Sequence, residues 1–98
     1  MTRRAAKIDD NQRSIVKALR DMPGFWVELG HDDILVGHLG RTYWYEIKSQ
    51  NAVSKKTGKV LTSKKKKGQI NLEKHWTGHY KIVSSLDEIL ADIRWGNL

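Results

Sequence analysis

The chain has no cysteine and one proline in 98 residues. The first absence excludes disulfides and thiolate metal sites and fits a reducing compartment. The second leaves Pro23-Gly24 as the one proline-marked break. Long apolar runs are missing as well. No stretch can span a bilayer, and the opening MTRRAAKIDDNQR lacks the apolar segment of an export signal. These absences predict a soluble, cytoplasmic protein with no membrane partner. Acidic residues are scarce, 11 against 18 lysines and arginines, leaving a net charge of +7. Such an excess favours a polyanionic partner. With no basic helix carrying a large apolar face, nucleic acid fits better than a lipid surface.

What is present suffices for one small folded domain, residues 1–98. Hydrophobic residues make up 39% of the chain, enough for a single core. Residues 1–7 read as a basic arm. Asp9 and Asp10 suit the first turn of a helix that Pro23-Gly24 ends, with Ile8, Ile15, Leu19 and Met22 on one stripe. Gln12 falls inside that stripe, where a polar group must find a partner or face a site. FWVEL, 25–29, reads as a strand. DILVGHLGRTYWYEIK, 33–48, reads as two strands joined by a turn near Gly40-Arg41. Residues 49–67 form a polar, lysine-rich loop with Val60 and Leu61 as its apolar anchors. A second helix is expected over 63–76, with Gln69, Leu72 and Trp76 on one face. A fourth strand follows over 79–83. Ser85 with Glu88 three residues on is a capping box that opens a third helix, whose Leu86, Ile89, Leu90 and Ile93 keep helical spacing. The order α-β-β-β-α-β-α predicts an α/β domain: a small mixed sheet with flanking helices. The helix between the third and fourth strands suits a parallel crossover.

The hairpin carries the chemistry. Side chains alternate along a strand, so Glu46 and Lys48 share a face, with Thr42 and Trp44 behind them and Tyr43, Tyr45 and Ile47 opposite. An antiparallel partner returns Asp33 to the same end. Two carboxylates, an ammonium and the backbone carbonyl of Ile47 then converge, a set of hard oxygen donors suited to a divalent cation such as Mg2+. A cation held there lowers the pKa of water and neutralises charge on a phosphate, and Lys48 can assist. Taken alone, an Asp on a turn and a Glu-x-Lys on a strand are as readily a cap and a solvated face. The four histidines are not read as a metal set. His31, next but one to Asp33, is read as a turn residue with DNA contact as the alternative. The four tryptophans are assigned to the core or to contacts between copies, with base stacking as the alternative. Seven lysines within 55–67 (Lys55, Lys56, Lys59, Lys64, Lys65, Lys66 and Lys67) are read as a phosphate-tracking surface that Arg3 and Arg4 extend.

Across most of the chain the sequence resembles the PD-(D/E)XK nucleases, and within them the small stand-alone VRR-NUC proteins of phages. The resemblance rests on RRAAKIDDNQ, on DILVGHLGRTYWYEIK, on LT before the second helix, on EKHW at its end, and on the closing YKIVSSLDEIL. It implies a restriction-endonuclease-like core with the metal-binding aspartate at Asp33 and the E-x-K pair at Glu46 and Lys48. Gln12 and Gln69 match the supporting polar residues of the first and second helices. It further implies Mg2+- or Mn2+-dependent cleavage of DNA by a homodimer, at branched structures such as four-way (Holliday) junctions, inside the host cell. The pattern departs at the family's proline, where this chain has Asp32, and at Gln12, where many relatives carry glutamate. Two other functions fit the same features: a non-catalytic basic DNA-binding module, and a sequence-specific restriction-type endonuclease.

Overall fold

The computed structural model describes residues 10–30 and 33–95. In chain order it contains α1 (Asp10–Asp21), β1 (Phe25–Leu29), β2 (Asp33–His38), β3 (Arg41–Ile47), α2 (Lys67–His75), β4 (Lys81–Val83) and α3 (Leu86–Ile93). The strands form one sheet in the order β1-β2-β3-β4, antiparallel at the first two pairings and parallel at the third. This is the small mixed α/β fold with flanking helices that the order of elements predicts. No described helix is long and apolar enough to cross a membrane.

Alternation along the strands gives the sheet two unlike faces. Phe25, Val27, Ile34, Val36, Tyr45, Ile47 and Val83 are buried on one. They pack with Ile15, Val16 and Leu19 of α1 and Ile89 and Ile93 of α3 in one core. The apolar stripes expected of both helices are therefore the stripes they bury; Ile8 lies outside the described residues. Ser85 caps α3 as its sequence foretells, its Oγ accepting from Glu88 N at 3.2 Å. The other face carries Trp26, Glu28, Asp33, Leu35, Trp44 and Glu46, and α2 lies on its β4 side, where Trp76 meets Trp44 edge-on at 5.3 Å.

Of the two places expected of the tryptophans, the core and contacts between copies, the structure excludes the first. None is in the buried core: Trp26 is 70% exposed, Trp76 50% and Trp95 48%, and Trp44 is half-buried. Aliphatic residues, with Phe25 and Tyr45, fill the small core instead.

The β2–β3 turn also sits one residue earlier than expected. His38 pairs with Arg41, and Leu39 and Gly40 make the turn, both at positive φ, 51° and 80°. Two such residues match the twist of a hairpin. Gly40 adopts this backbone without strain, whereas Leu39 pays a steric cost there. Its side chain is exposed and makes no compensating core contact. Replacing Leu39 with Asn is expected to stabilise the domain by about 1 kcal/mol and to raise Tm by roughly 4–8 °C, as calorimetry would show.

The lysine-rich loop is more ordered than its composition implies. Short 3-10 turns occupy Gln50–Ala52 and Thr62–Lys64. Between them Val53 bridges Val60, Ser54 N donates to Lys59 O at 2.8 Å, and Leu61 N donates to Ala52 O at 2.7 Å. Ala52 is its buried anchor, Val60 is half-buried and Leu61 is exposed. Helix α2 starts four residues later than expected, because Lys65 and Lys66 are extended. A run of lysines opposes the helix dipole at an N-terminus.

Candidate functional site

Register decides the geometry of the hairpin. Asp33 pairs directly with Glu46, which sets their Cβ atoms about 5 Å apart on one face. Each is fixed differently. Asp33 is half-exposed at the start of β2, and its Oδ2 accepts from the Trp44 indole Nε1 at 2.5 Å. Gly30 N donates to the Asp33 carbonyl at 2.8 Å. The Asp33 carboxylate occupies the space that a Cβ on Gly30 would fill, so glycine at 30 is part of the site. Glu46 is 6% exposed, held between β2 and Ile82 of β4.

Lys48 continues the strand past its last named residue. Its N–H donates to Val83 O at 2.8 Å. The trans peptide between Ile47 and Lys48 therefore turns its N–H toward β4 and its carbonyl toward the β2 side, where Asp33 begins. By alternation the Lys48 side chain shares the face of Glu46.

Three further residues belong to this end of the sheet. Asn11 Nδ2 donates to Lys48 O at 2.8 Å and to Ser84 O at 3.2 Å, tying the ends of β3 and β4 to α1. Tyr80 lies on the Glu46 face, its ring 4.8 Å from Trp44. Its hydroxyl is buried with no hydrogen-bond partner. Burial, and then the charges of Glu46, Glu73 and Asp33, push that hydroxyl well above the ordinary phenol range. The third is Trp44 itself, whose indole orients Asp33. Alternation places Trp44 on the face of Asp33 and Glu46, so its role was within reach of the sequence. Nothing local marks Asn11.

The supporting residues are dispersed. Gln12 is buried on α1 and lines a groove of about 480 Å3 with Arg13, Val16, Lys17, Arg20 and Leu29; the amide that reaches the end of β3 is that of Asn11. Gln69 is buried, and its Oε1 accepts from Lys66 N at 2.9 Å, capping α2. Lys55, Lys56 and Lys59 are exposed around the loop tip, and Lys64, Lys66 and Lys67 are exposed at the start of α2. Lys65 is half-buried and bonded to both carboxylate oxygens of Glu73, at 3.0 and 3.1 Å. Arg3, Arg4, His31 and Asp32 lie outside the described residues.

His75 and His79 stand four apart, a spacing used for metals, but α2 ends at His75. His79 is committed elsewhere. Its Nδ1 accepts from Trp44 N at 3.1 Å, so its Nε2 carries the proton and donates to Asp92 Oδ2 at 2.6 Å. Tyr45 Oη donates to the same oxygen at 2.6 Å. Among the described residues no group of three His, Cys, Asp or Glu gathers as a metal set.

Burial pushes the Asp92 carboxyl up, but the hydrogen bonds from Tyr45 and His79 and the nearby charges outweigh it and hold the group below its ordinary value. A lowered pKa in the folded state stabilises above the unfolded carboxylate range and ceases to do so as pH falls through the lowered value. Tyr45→Phe keeps the ring and removes the donor. It is expected to cost about 1–2 kcal/mol near neutral pH, with the difference from wild type shrinking in acid. Denaturant unfolding at the two pH values measures this.

No family model, curated protein or solved structure matches the chain.

Proposed function

We propose that the chain is a metal-dependent DNA endonuclease with a restriction-endonuclease-like core. The observation that carries this reading is the direct pairing of Asp33 with Glu46; Lys48 follows two residues on, where strand alternation puts it on the same face. Two carboxylates and the Ile47 carbonyl are hard donors on one side of the strand end, and they fit a Mg2+ or Mn2+ that takes two carboxylates and keeps waters. The orphaned Tyr80 hydroxyl beside them adds a donor for a bound phosphate or water. When bound, the ion supplies Lewis-acid activation of water and neutralises charge on the phosphodiester.

The chain's own residues do the rest. Asp33, held by Trp44, and Glu46, held in the sheet, fix the position of the ion. Lys48 brings a positive charge to the strand end, where it stabilises charge growing on the phosphate oxygens. Asn11 holds the Lys48 backbone in place through its carbonyl. Gln69 supports the site indirectly by capping α2, while Gln12 retains only the supporting role that the resemblance gives it. The exposed lysines of the loop tip and the start of α2 contact the DNA backbone, which makes binding fall steeply with salt. Their positive charge at a helix N-terminus, unfavourable to the helix alone, suits an anionic partner.

Branched DNA is the proposed substrate and a homodimer the proposed state, since paired cuts in a junction need two sites related by symmetry. The test is cleavage of a labelled four-way junction beside linear duplex and single strand, with Mg2+, Mn2+ or EDTA. Metal-dependent paired nicks in the junction support the reading. Tight binding to every substrate without cutting would leave a DNA-binding module, and cuts at fixed sequences in linear duplex would indicate a restriction-type enzyme.

A further inference from the structure

A chain of hydrogen bonds runs from α3 to the carboxylates. Alternate N–H groups of β3 turn toward β4, and Lys48 N donates to Val83 O at 2.8 Å. Trp44, four residues back, turns its N–H the same way, but β4 begins only at Lys81, opposite Tyr45. The His79 ring fills the missing rung, its Nδ1 accepting from Trp44 N at 3.1 Å. On its far side Nε2 donates to Asp92 Oδ2 at 2.6 Å. The Trp44 indole in turn holds the Asp33 carboxylate. Tyr80, the residue after His79, packs edge-on against the same indole at 4.8 Å. His79 thus grips Trp44 twice, through its backbone and through a neighbouring ring.

We propose that His79 is a positioning residue for Asp33, acting through Trp44 in its neutral form alone and releasing Trp44 when its ring takes a second proton. The inference rests on the reading of Asp33 as a metal ligand and names what regulates that ligand. The tautomer carries it. Nδ1 accepts only while unprotonated, and a proton there sets two N–H groups against each other. Histidine is the side chain whose ordinary titration falls between about pH 5 and 8, and solvent reaches the ring, 27% of the side chain being exposed. The charged groups around it oppose one another. Asp92 of α3 favours the imidazolium, and Lys81 of β4, 3.9 Å from Asp92, disfavours it. Tyr43 and Tyr45 of β3 meet the ring edge-on, both at 5.0 Å. Once Nδ1 is protonated, the Trp44 N–H loses its acceptor, the rung between β3 and His79 opens, and Trp44 no longer fixes Asp33 opposite Glu46. The site therefore holds a divalent cation more weakly in mild acid than in neutral solution.

Two readouts test this on the full chain between about pH 7.5 and about pH 5.5, a window above the ordinary carboxylate range. The first is the Trp44 indole N–H resonance in metal-free protein, identified by its loss in Trp44→Phe. The second is Mn2+ affinity, followed by electron paramagnetic resonance. In wild type the resonance is expected to move as the pH falls, and Mn2+ affinity to drop about 10-fold, the worth of one hydrogen bond. His79→Gln keeps an acceptor and a donor but has no titrating ring. It is expected to match wild type at the upper pH and to stay flat to the lower. His79→Phe keeps a ring without either bond and is expected to bind about 10-fold more weakly at both ends. A wild-type indole resonance that stays fixed would overturn the proposal without recourse to any variant, as would a His79→Gln protein that follows the wild-type profile. Absence of Mn2+ binding at every pH removes the metal reading alone, since the indole resonance of metal-free protein still decides the role of His79.

Discussion

Glu46→Gln is expected to lower metal-dependent DNA cleavage by at least about 100-fold while leaving DNA affinity in EDTA near wild type. The amide keeps the shape of a side chain that is 6% exposed, so the change removes a charge and a ligand with little disturbance of packing. Asp33→Asn removes the second carboxylate and is expected to act similarly, since the carboxamide oxygen can still accept from the Trp44 indole. Lys48→Ala removes charge stabilisation at the phosphate and is expected to cost roughly 100- to 1,000-fold. The three losses should not add, because each disables the same step. DNA binding provides the internal control, as it is the exposed lysines of the loop and α2 that are proposed to supply it and none of the three substitutions touches them.

Leu19→Ala is expected to destabilise the domain by about 3 kcal/mol. Leu19 is 0% exposed, in the core between α1 and the sheet, where a methyl cannot fill the space of an isobutyl group. A domain of this size has a total stability of only about 5–15 kcal/mol. The loss is therefore a large fraction of the whole and corresponds to roughly 12–24 °C in Tm. Thermal unfolding followed by circular dichroism measures it. The effect reaches function by a different route from that of Glu46→Gln. Below its lowered Tm the Leu19→Ala protein should still show whatever cleavage wild type shows, because among the described residues it is Asn11, at the first turn of α1, that hydrogen-bonds to the end of β3.

Much of this arrangement was readable from residue order because its signals are local. Ser85 and Glu88 announce the start of α3, Pro23-Gly24 the end of α1, and period-two alternation from Asp33 to Ile47 the two faces of the hairpin. The direct pairing of Asp33 with Glu46 follows from that alternation once the turn is placed. The turn itself was misplaced by one residue because Leu39 takes a left-handed backbone that leucine disfavours, and no propensity rule selects it. The start of α2 was misplaced because lysines are good helix formers inside a helix but unfavourable at its N-terminus. The amide on α1 that reaches the strand ends is Asn11, which depends on the helix's rotation over the sheet, a property of tertiary packing. The exposure of Trp26 and Trp76 was hidden for the same reason: hydrophobicity assigns an indole to the interior, whereas the volume of a small core decides whether it fits.

The central claim, that Asp33 and Glu46 together hold a divalent cation, is tested most directly by titrating the full chain with Mn2+ and following free ion by electron paramagnetic resonance. The account predicts a Mn2+ site on each wild-type chain that is lost in Asp33→Asn and in Glu46→Gln and retained in Lys48→Ala. A folded wild-type protein that binds no Mn2+, alone or with branched DNA present, would contradict it, as would binding that survives both carboxylate substitutions.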